Sequence, residues 1–331
     1  MAQIVLGLGS SHTPQISTDT DIWDDHASRD MANSELLGLD GEYHSFDELL
    51  AVADPGIGRE LDAAVWADKY DRCQRAIAEL AARLAAVRPD VVVVIGDDQG
   101  ELFGADGNPA LSFYLGASLE DRPPSDGHVA GLALGLQKAL WAAHASETDL
   151  YPCAPELTHH LAQRLVAEGF DLHVFSEQPA GRSLGHAFTF VRRRLHLPRV
   201  TPIVPIFVNT YYEPNVPLPG RCYEFGRALR RALESWPDDT RVAILASGGL
   251  SHFVVNEKLD REVLSALGRA DFATISAIDP RHLRSGTSEI LNWVVAGAAM
   301  ENLSMKVIDY VAGYRSLAGT GTAMCFSVWE G

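Results

Sequence analysis

A chain of 331 residues, 47% hydrophobic and 21% charged, is long enough to bury a large α/β core as one large domain or two ordinary ones. Its formal net charge of −17 argues against a nucleic-acid surface, which needs clustered Lys and Arg. No apolar run approaches the ~20 residues that cross a bilayer, and the N-terminus has no signal-peptide pattern. Cys73, Cys153, Cys222 and Cys325 are widely spaced without a C-x-x-C pair, which fits neither a zinc knuckle nor a disulfide framework and suits a reducing cytoplasm.

Gln3 to Leu8 reads as a short apolar strand, and the Gly9–Pro14 loop after it carries His12. From Gln15 to about Arg59 the chain is polar and irregular, an excursion or lid in which His26 and His44 read as surface histidines. Apolar spacing from Ala67 to Val87 predicts a helix that ends before Pro89. Val91 to Ile95, five β-branched residues, predicts a strand buried on both faces, running into Gly96-Asp97-Asp98-Gln99-Gly100-Glu101. That acidic stretch is a metal or polar-substrate site, or a plain Gly/Asp turn.

A further strand is expected within Pro109–Leu119, and helices over Val129–Ala143 and Pro155–Glu168, the second carrying His159 and His160. Phe170–Phe175 and Thr201–Val208 read as strands, the latter placed by its two prolines at an edge or a strand start. Between them lie His186, in SLGHAF, and the cluster Arg192–Arg194, expected on a solvated helix end. Arg221–Ser235 is an amphipathic helix, and Val242–Ala246 a buried strand whose Gly248-Gly249 turn presents Ser251 and His252. Helices follow over Glu257–Leu267 and Asp271–Ser276. Another begins at Ser285, with Glu289 as a first-turn acid, and Gly319–Val328 closes the chain as a strand.

Strands of one α/β sheet release their C-terminal ends on a common side, so His12, the Asp97–Glu101 acids and His252 can converge, with Glu289 starting a helix close behind. Two neutral donors and one carboxylate form the ligand set of non-haem iron(II) oxygenases, and an unligated histidine beside them can move protons.

The chain resembles the class III extradiol ring-cleavage dioxygenases, the superfamily of the protocatechuate 4,5-dioxygenase catalytic subunit, and among them the single-chain 3-O-methylgallate type. The resemblance is carried by HHLAQRLVAEGFDL, SLGHAF, PLPGRCYEFGRALRRALESWPDD and ASGGLSHF in that order. It implies one α/β domain over 1–331, with a mixed central sheet flanked by helices, the site over the strand ends and 15–59 as a lid. It implies a ferrous iron cofactor, Fe(2+), with His12 and Glu289 as ligands and His252 as the acid/base, and His160 and His186 as supporting or substrate-facing residues. Substrates would be O2 and a catecholic acid of the protocatechuate, gallate or 3-O-methylgallate kind, with no nucleic-acid or membrane partner; relatives are often dimers, so a homodimer is the expected assembly. Many relatives carry Asn-Asp-His where this chain reads Asp97-Asp98-Gln99, which makes Gln99 the expected second ligand, with Asp98, Glu101 or His44 as substitutes. The competing reading is a family member without redox iron, serving as a binding or regulatory subunit or as a zinc-dependent hydrolase.

Overall fold

In the computed structural model, which describes residues 1–104 and 107–331, nine strands form one mixed sheet. They are β1 (Gln3–Ser10), β2 (Val91–Gly96), β3 (Leu111–Tyr114), β4 (His173–Phe175), β5 (Ile203–Val208), β6 (Arg241–Ser247), β7 (His252–Val254), β8 (Ser304–Tyr314) and β9 (Thr320–Glu330). Their order is β7-β9-β1-β6-β2-β5-β3-β4, with β8 paired along β9. The central four, β1, β6, β2 and β5, are mutually parallel, so their C-terminal ends open on one side. β2 and β5 are buried at every position, because helices cover both faces and an apolar side chain is favourable on either.

One face is covered by α2 (Ala63–Val87) and α5 (His186–Arg193). On the other lie α4 (Pro155–Ala167), α6 (Pro219–Glu234), α7 (Glu257–Gly268) and α8 (Ile290–Ala299). Every residue of α8 is buried, so this helix is wedged between its neighbours and the sheet. The result is the expected α/β architecture with a mixed central sheet flanked by helices.

Several local expectations are corrected. The Pro-containing strand β5 is not an edge but interior, flanked by β2 and β3, although Pro202 does stand at its start, just before Ile203. Its antiparallel ladder to β3 spans only Ile206–Val208, so Pro205, which lacks an N–H, lies just outside it. The helix expected over Val129–Ala143 is two pieces, Asp126–Gly131 and α3 (Leu134–Ala143). β8 was not anticipated, since its pattern mixes exposed and half-buried positions. Of the basic cluster, Arg192 and Arg194 are buried: Arg192 pairs with Asp149 at 3.0 Å over the Tyr151 ring, and Arg194 bonds Ser17 and Gln74. His26 is likewise buried, in α1 (Trp23–Met31).

The 15–59 excursion packs on the molecule rather than standing away from it. Trp23 stacks near Trp66 at 5.4 Å between ring centres, and Leu36, Phe46 and Leu49 form a small core with Val254 and Ala318, against which Phe253 packs. Arg315, from the turn between β8 and β9, grips buried Asp30 with two bonds of 2.6 and 2.8 Å. That bidentate geometry ties the excursion to the sheet.

Candidate active site

The open side of the parallel strands floors a cavity of about 850 Å³. His12, Gln99, His186, Tyr211, His252 and Glu289 all line it, each from a different strand end or helix start. The turn after β6 is the most tightly built. Ser251 donates its N–H and hydroxyl to buried Asp260 at 2.9 and 2.7 Å, and the Tyr310 hydroxyl donates to the same carboxylate. His252 donates Nδ1–H to the Leu250 carbonyl at 2.7 Å, which leaves Nε2 facing Glu289 Oε1 at 3.3 Å. Gly286 is required beside it, because a Cβ there would lie 2.0 Å from the imidazole.

Glu289 sits at the junction of a single 3-10 turn, Ser285–Glu289, and α8. The sequence expectation of a capping acid is corrected, since its side chain makes no cap bond to its own helix. The carboxylate instead accepts the Gly249 N–H at 2.6 Å and the Gln99 side-chain amide at 3.1 Å. Burial alone would raise its pKa, but His252, His12 and the Gly249 N–H hold it down at about 2. Glu289 in turn raises His252, against the downward pull of burial.

His12 follows β1. Ser247 Oγ donates to the Ala187 carbonyl at 2.5 Å, so toward His12 it acts as acceptor, taking the Nδ1 proton at 2.9 Å. The lone pair of His12 is thereby placed on Nε2, a buried atom with no hydrogen-bond partner, 3.7 Å from Glu289 Oε2. Burial pushes the imidazole down to about 4, keeping it neutral.

The loop after β2 separates its acids. Asp98 spends its carboxylate on the N–H groups of Gly100, Leu102 and Phe103 at 2.8–3.1 Å. Asp97 accepts from Asn292 and Gln99 and, through burial, rises to about 7. Glu101 accepts both the backbone N–H and Nδ1 of His186, at 2.9 and 2.7 Å. The pair is coupled: Glu101 overcomes burial to raise His186 to about 10, and His186 overcomes it to hold Glu101 at about 2.

Not all the expected residues meet here. His160 is on α4, bonded to Ser235 Oγ at 2.9 Å and packed edge-on against Trp236, away from the cavity. His44 is tied to Asp40 at 3.0 Å and does not line the cavity. Tyr211 was missed. It follows β5 and obeys the same strand-end rule, but Asn209–Tyr212 carries no histidine or acid to draw the eye; burial raises its phenol well above the ordinary value. Ser247, which holds His12, is likewise legible only in space, and Glu101, expected as a substitute ligand, instead holds His186.

A divalent metal is the group such a site implies. Two donors 3.7 Å apart can each reach a cation at about 2.1 Å. The unpartnered Nε2 of His12 facing a carboxylate kept ionised is a donor pair of the right chemistry. Among the described residues no three His, Cys, Asp or Glu side chains already close around one point. The donors present fit a metal through His12 and Glu289, with a third from the neighbouring wall.

The chain is similar to proteins of known name. Gallate dioxygenase of Pseudomonas putida is 31% identical, over 46% of this chain and 48% of that protein. The 2,3-dihydroxyphenylpropionate/2,3-dihydroxicinnamic acid 1,2-dioxygenases of Comamonas testosteroni and Klebsiella pneumoniae are 26% and 29% identical, over 57% and 55% of this chain and 51% and 49% of those proteins. The chain thus spans about half the length of the curated relatives it matches. The family model described as the catalytic LigB subunit of aromatic ring-opening dioxygenase matches residues 60–325, which takes in α2, the whole β2–α8 segment and most of β9. The chain belongs to that family of aromatic ring-opening dioxygenase catalytic subunits.

Proposed function

We propose that the chain is an Fe(II)-dependent extradiol dioxygenase that opens a catecholic acid beside its diol. The observation that carries this reading is the buried, unpartnered Nε2 of His12 set 3.7 Å from ionised Glu289, with His252 on the other oxygen of the same carboxylate. His12 and Glu289 would hold the metal, and Gln99 and His186 stand on the wall from which a third donor comes. When bound, iron lowers the pKa of catechol hydroxyls and supplies the electron path to dioxygen that zinc cannot.

The protein's own part is proton management and orientation. His252, its Nδ1–H fixed on the Leu250 carbonyl, takes the catechol proton at Nε2 and returns it when the ring-opened product forms. Thr287 clamps the His252 backbone by accepting its N–H and donating to its carbonyl, while the Leu250 carbonyl holds the ring. The phenol of Tyr211 stays protonated and serves as a donor to bound substrate. The excursion acts as a lid, since Gln15, Ser17, His26 and Arg29 line the cavity and shield it from water. The related proteins carry names of catecholic acids, which supports an acid as substrate. Four free, buried cysteines are in keeping with a reducing cytoplasm.

Protein loaded anaerobically with Fe(II) should consume oxygen in step with formation of a yellow ring-opened product, on a panel of protocatechuate, gallate, 3-O-methylgallate and dihydroxyphenylpropionate. Absence of uptake across the panel together with absence of bound iron would overturn the reading in favour of a binding subunit or a hydrolase.

A further inference from the structure

We propose that His186, and not Gln99, completes the metal site, so that the ligands are His12, His186 and Glu289. This inference rests on the functional reading above.

Gln99 presents the wrong end. Its amide nitrogen donates to Asp97 Oδ2 at 3.2 Å and to Glu289 Oε1 at 3.1 Å. Turning the amide over to offer its oxygen would bring that oxygen against two carboxylates. The residue therefore works as a donor that steadies Glu289.

His186 has the features of an imidazole ligand. Its Nδ1–H is given to Glu101 at 2.7 Å, the carboxylate–histidine pairing that fixes the orientation of metal-bound histidines and raises their basicity. The same carboxylate oxygen accepts the His186 backbone N–H, and the other, Oε2, is buried without a partner, so Glu101 serves this one residue. His186 lines the cavity and its Nε2 has no protein partner among the described residues, so a metal ion there would take the place of the Nε2 proton while Nδ1–H stays on Glu101.

The spacing agrees as well. A metal bound at about 2.1 Å lies about 3.2 Å from an imidazole centre, so two imidazoles whose metal–nitrogen bonds meet at right angles have centres about 4.5 Å apart. The ring centres of His12 and His186 stand 4.7 Å apart. Two imidazoles and Glu289 then make the two-histidine, one-carboxylate set with open positions for a diol and dioxygen. The second imidazole reaches the site from the start of α5 instead of the end of β2.

Anaerobic equilibrium dialysis of the full chain against Co(II), with the absorption spectrum of the bound ion and X-ray absorption to count imidazoles, tests this. The wild type should bind one Co(II) with two imidazoles. H186A should weaken binding more than about 100-fold with one imidazole left, and added imidazole should restore both if the variant is folded. E101Q should weaken binding about 10–100-fold with both imidazoles kept, whereas Q99L should change it less than about tenfold. H186A binding as tightly as wild type, or Q99L losing the ion while H186A keeps it, would overturn the assignment. A wild type that binds no divalent metal would overturn the functional reading and the ligand set together. One that binds Co(II) through two imidazoles, yet opens no catechol when given Fe(II), would overturn the function and leave the ligand set standing.

Discussion

The floor of the cavity and its rim are held by different means. On the floor, His252 and Glu289 are fixed by backbone groups, the Leu250 carbonyl and the Gly249 N–H, at the ends of rigid elements that are themselves buried. On the rim, His186 and the excursion are fixed by side-chain carboxylates, Glu101 under His186 and Asp30 under Arg315. Backbone anchors survive most substitutions, while a side-chain anchor is lost with a single change. The floor is therefore where the chemistry is insulated from sequence drift, and the rim is where one family can acquire a different ligand or lid.

The largest effect should come from the floor. His252→Phe preserves ring volume and removes the proton acceptor. Turnover should fall by about 10²–10⁴ while Co(II) affinity falls much less, because the residue does not bond the metal and acts on it only through its neighbour Glu289. Steady-state kinetics beside metal titration decides it: a variant with undiminished kcat would take His252 out of the proton-transfer role and break the contrast.

An intermediate effect is expected where floor meets rim. Ser247 Oγ bridges the two, accepting from His12 and donating to the carbonyl of Ala187, the neighbour of His186. Ser247→Ala leaves the His12 tautomer free, and metal affinity should drop about 10–100-fold with the fold intact. An affinity unchanged in the same dialysis experiment would mean that packing against Phe190, at 6.2 Å between ring centres, orients His12 unaided.

Much of the floor is legible in sequence, because a strand buried on both faces must be apolar throughout and its ending is marked by the first polar residues. Val91–Gly96 and Arg241–Ser247 stand out for this reason, and with them the positions of His12 and His252. The helices expected over Pro155–Glu168, Arg221–Ser235 and Glu257–Leu267 agree with the structure to within a few residues, because their period is plain. The rim is less legible, since nothing in QGE announces that Glu101 turns toward a histidine 85 residues away while Asp98 turns back on its own loop. His160 sits in as suggestive a motif as His186, but its helix α4 packs on the opposite face of the sheet, where the imidazole bonds Ala232 and Ser235 at the end of α6. Charge was a poor guide to exposure: Arg192 and Arg194 are buried because Asp149, Ser17 and Gln74 meet their guanidinium groups.

The smallest effect concerns the lid, and is one of pH. His26 is buried in α1 with Nε2 3.4 Å from Thr18 Oγ1, and it faces Arg315 and Arg29 as well as Asp25 and Asp30. Burial, followed by the two arginines, lowers its pKa from 6.5 to about 4. The folded chain thus refuses a proton that the unfolded chain accepts below pH 6.5, so this group withdraws stability as pH falls from 6.5 toward 4. His26→Gln keeps a hydrogen-bonding side chain without the titration. Melting curves across that window should show the variant losing less Tm than the wild type, by a few degrees at the acid end. Parallel profiles would mean that the lid opens before the core melts and its histidine titrates in water; the excursion would then be a separately unfolding unit, and the Asp30–Arg315 clamp too weak to make the rim part of the cooperative fold.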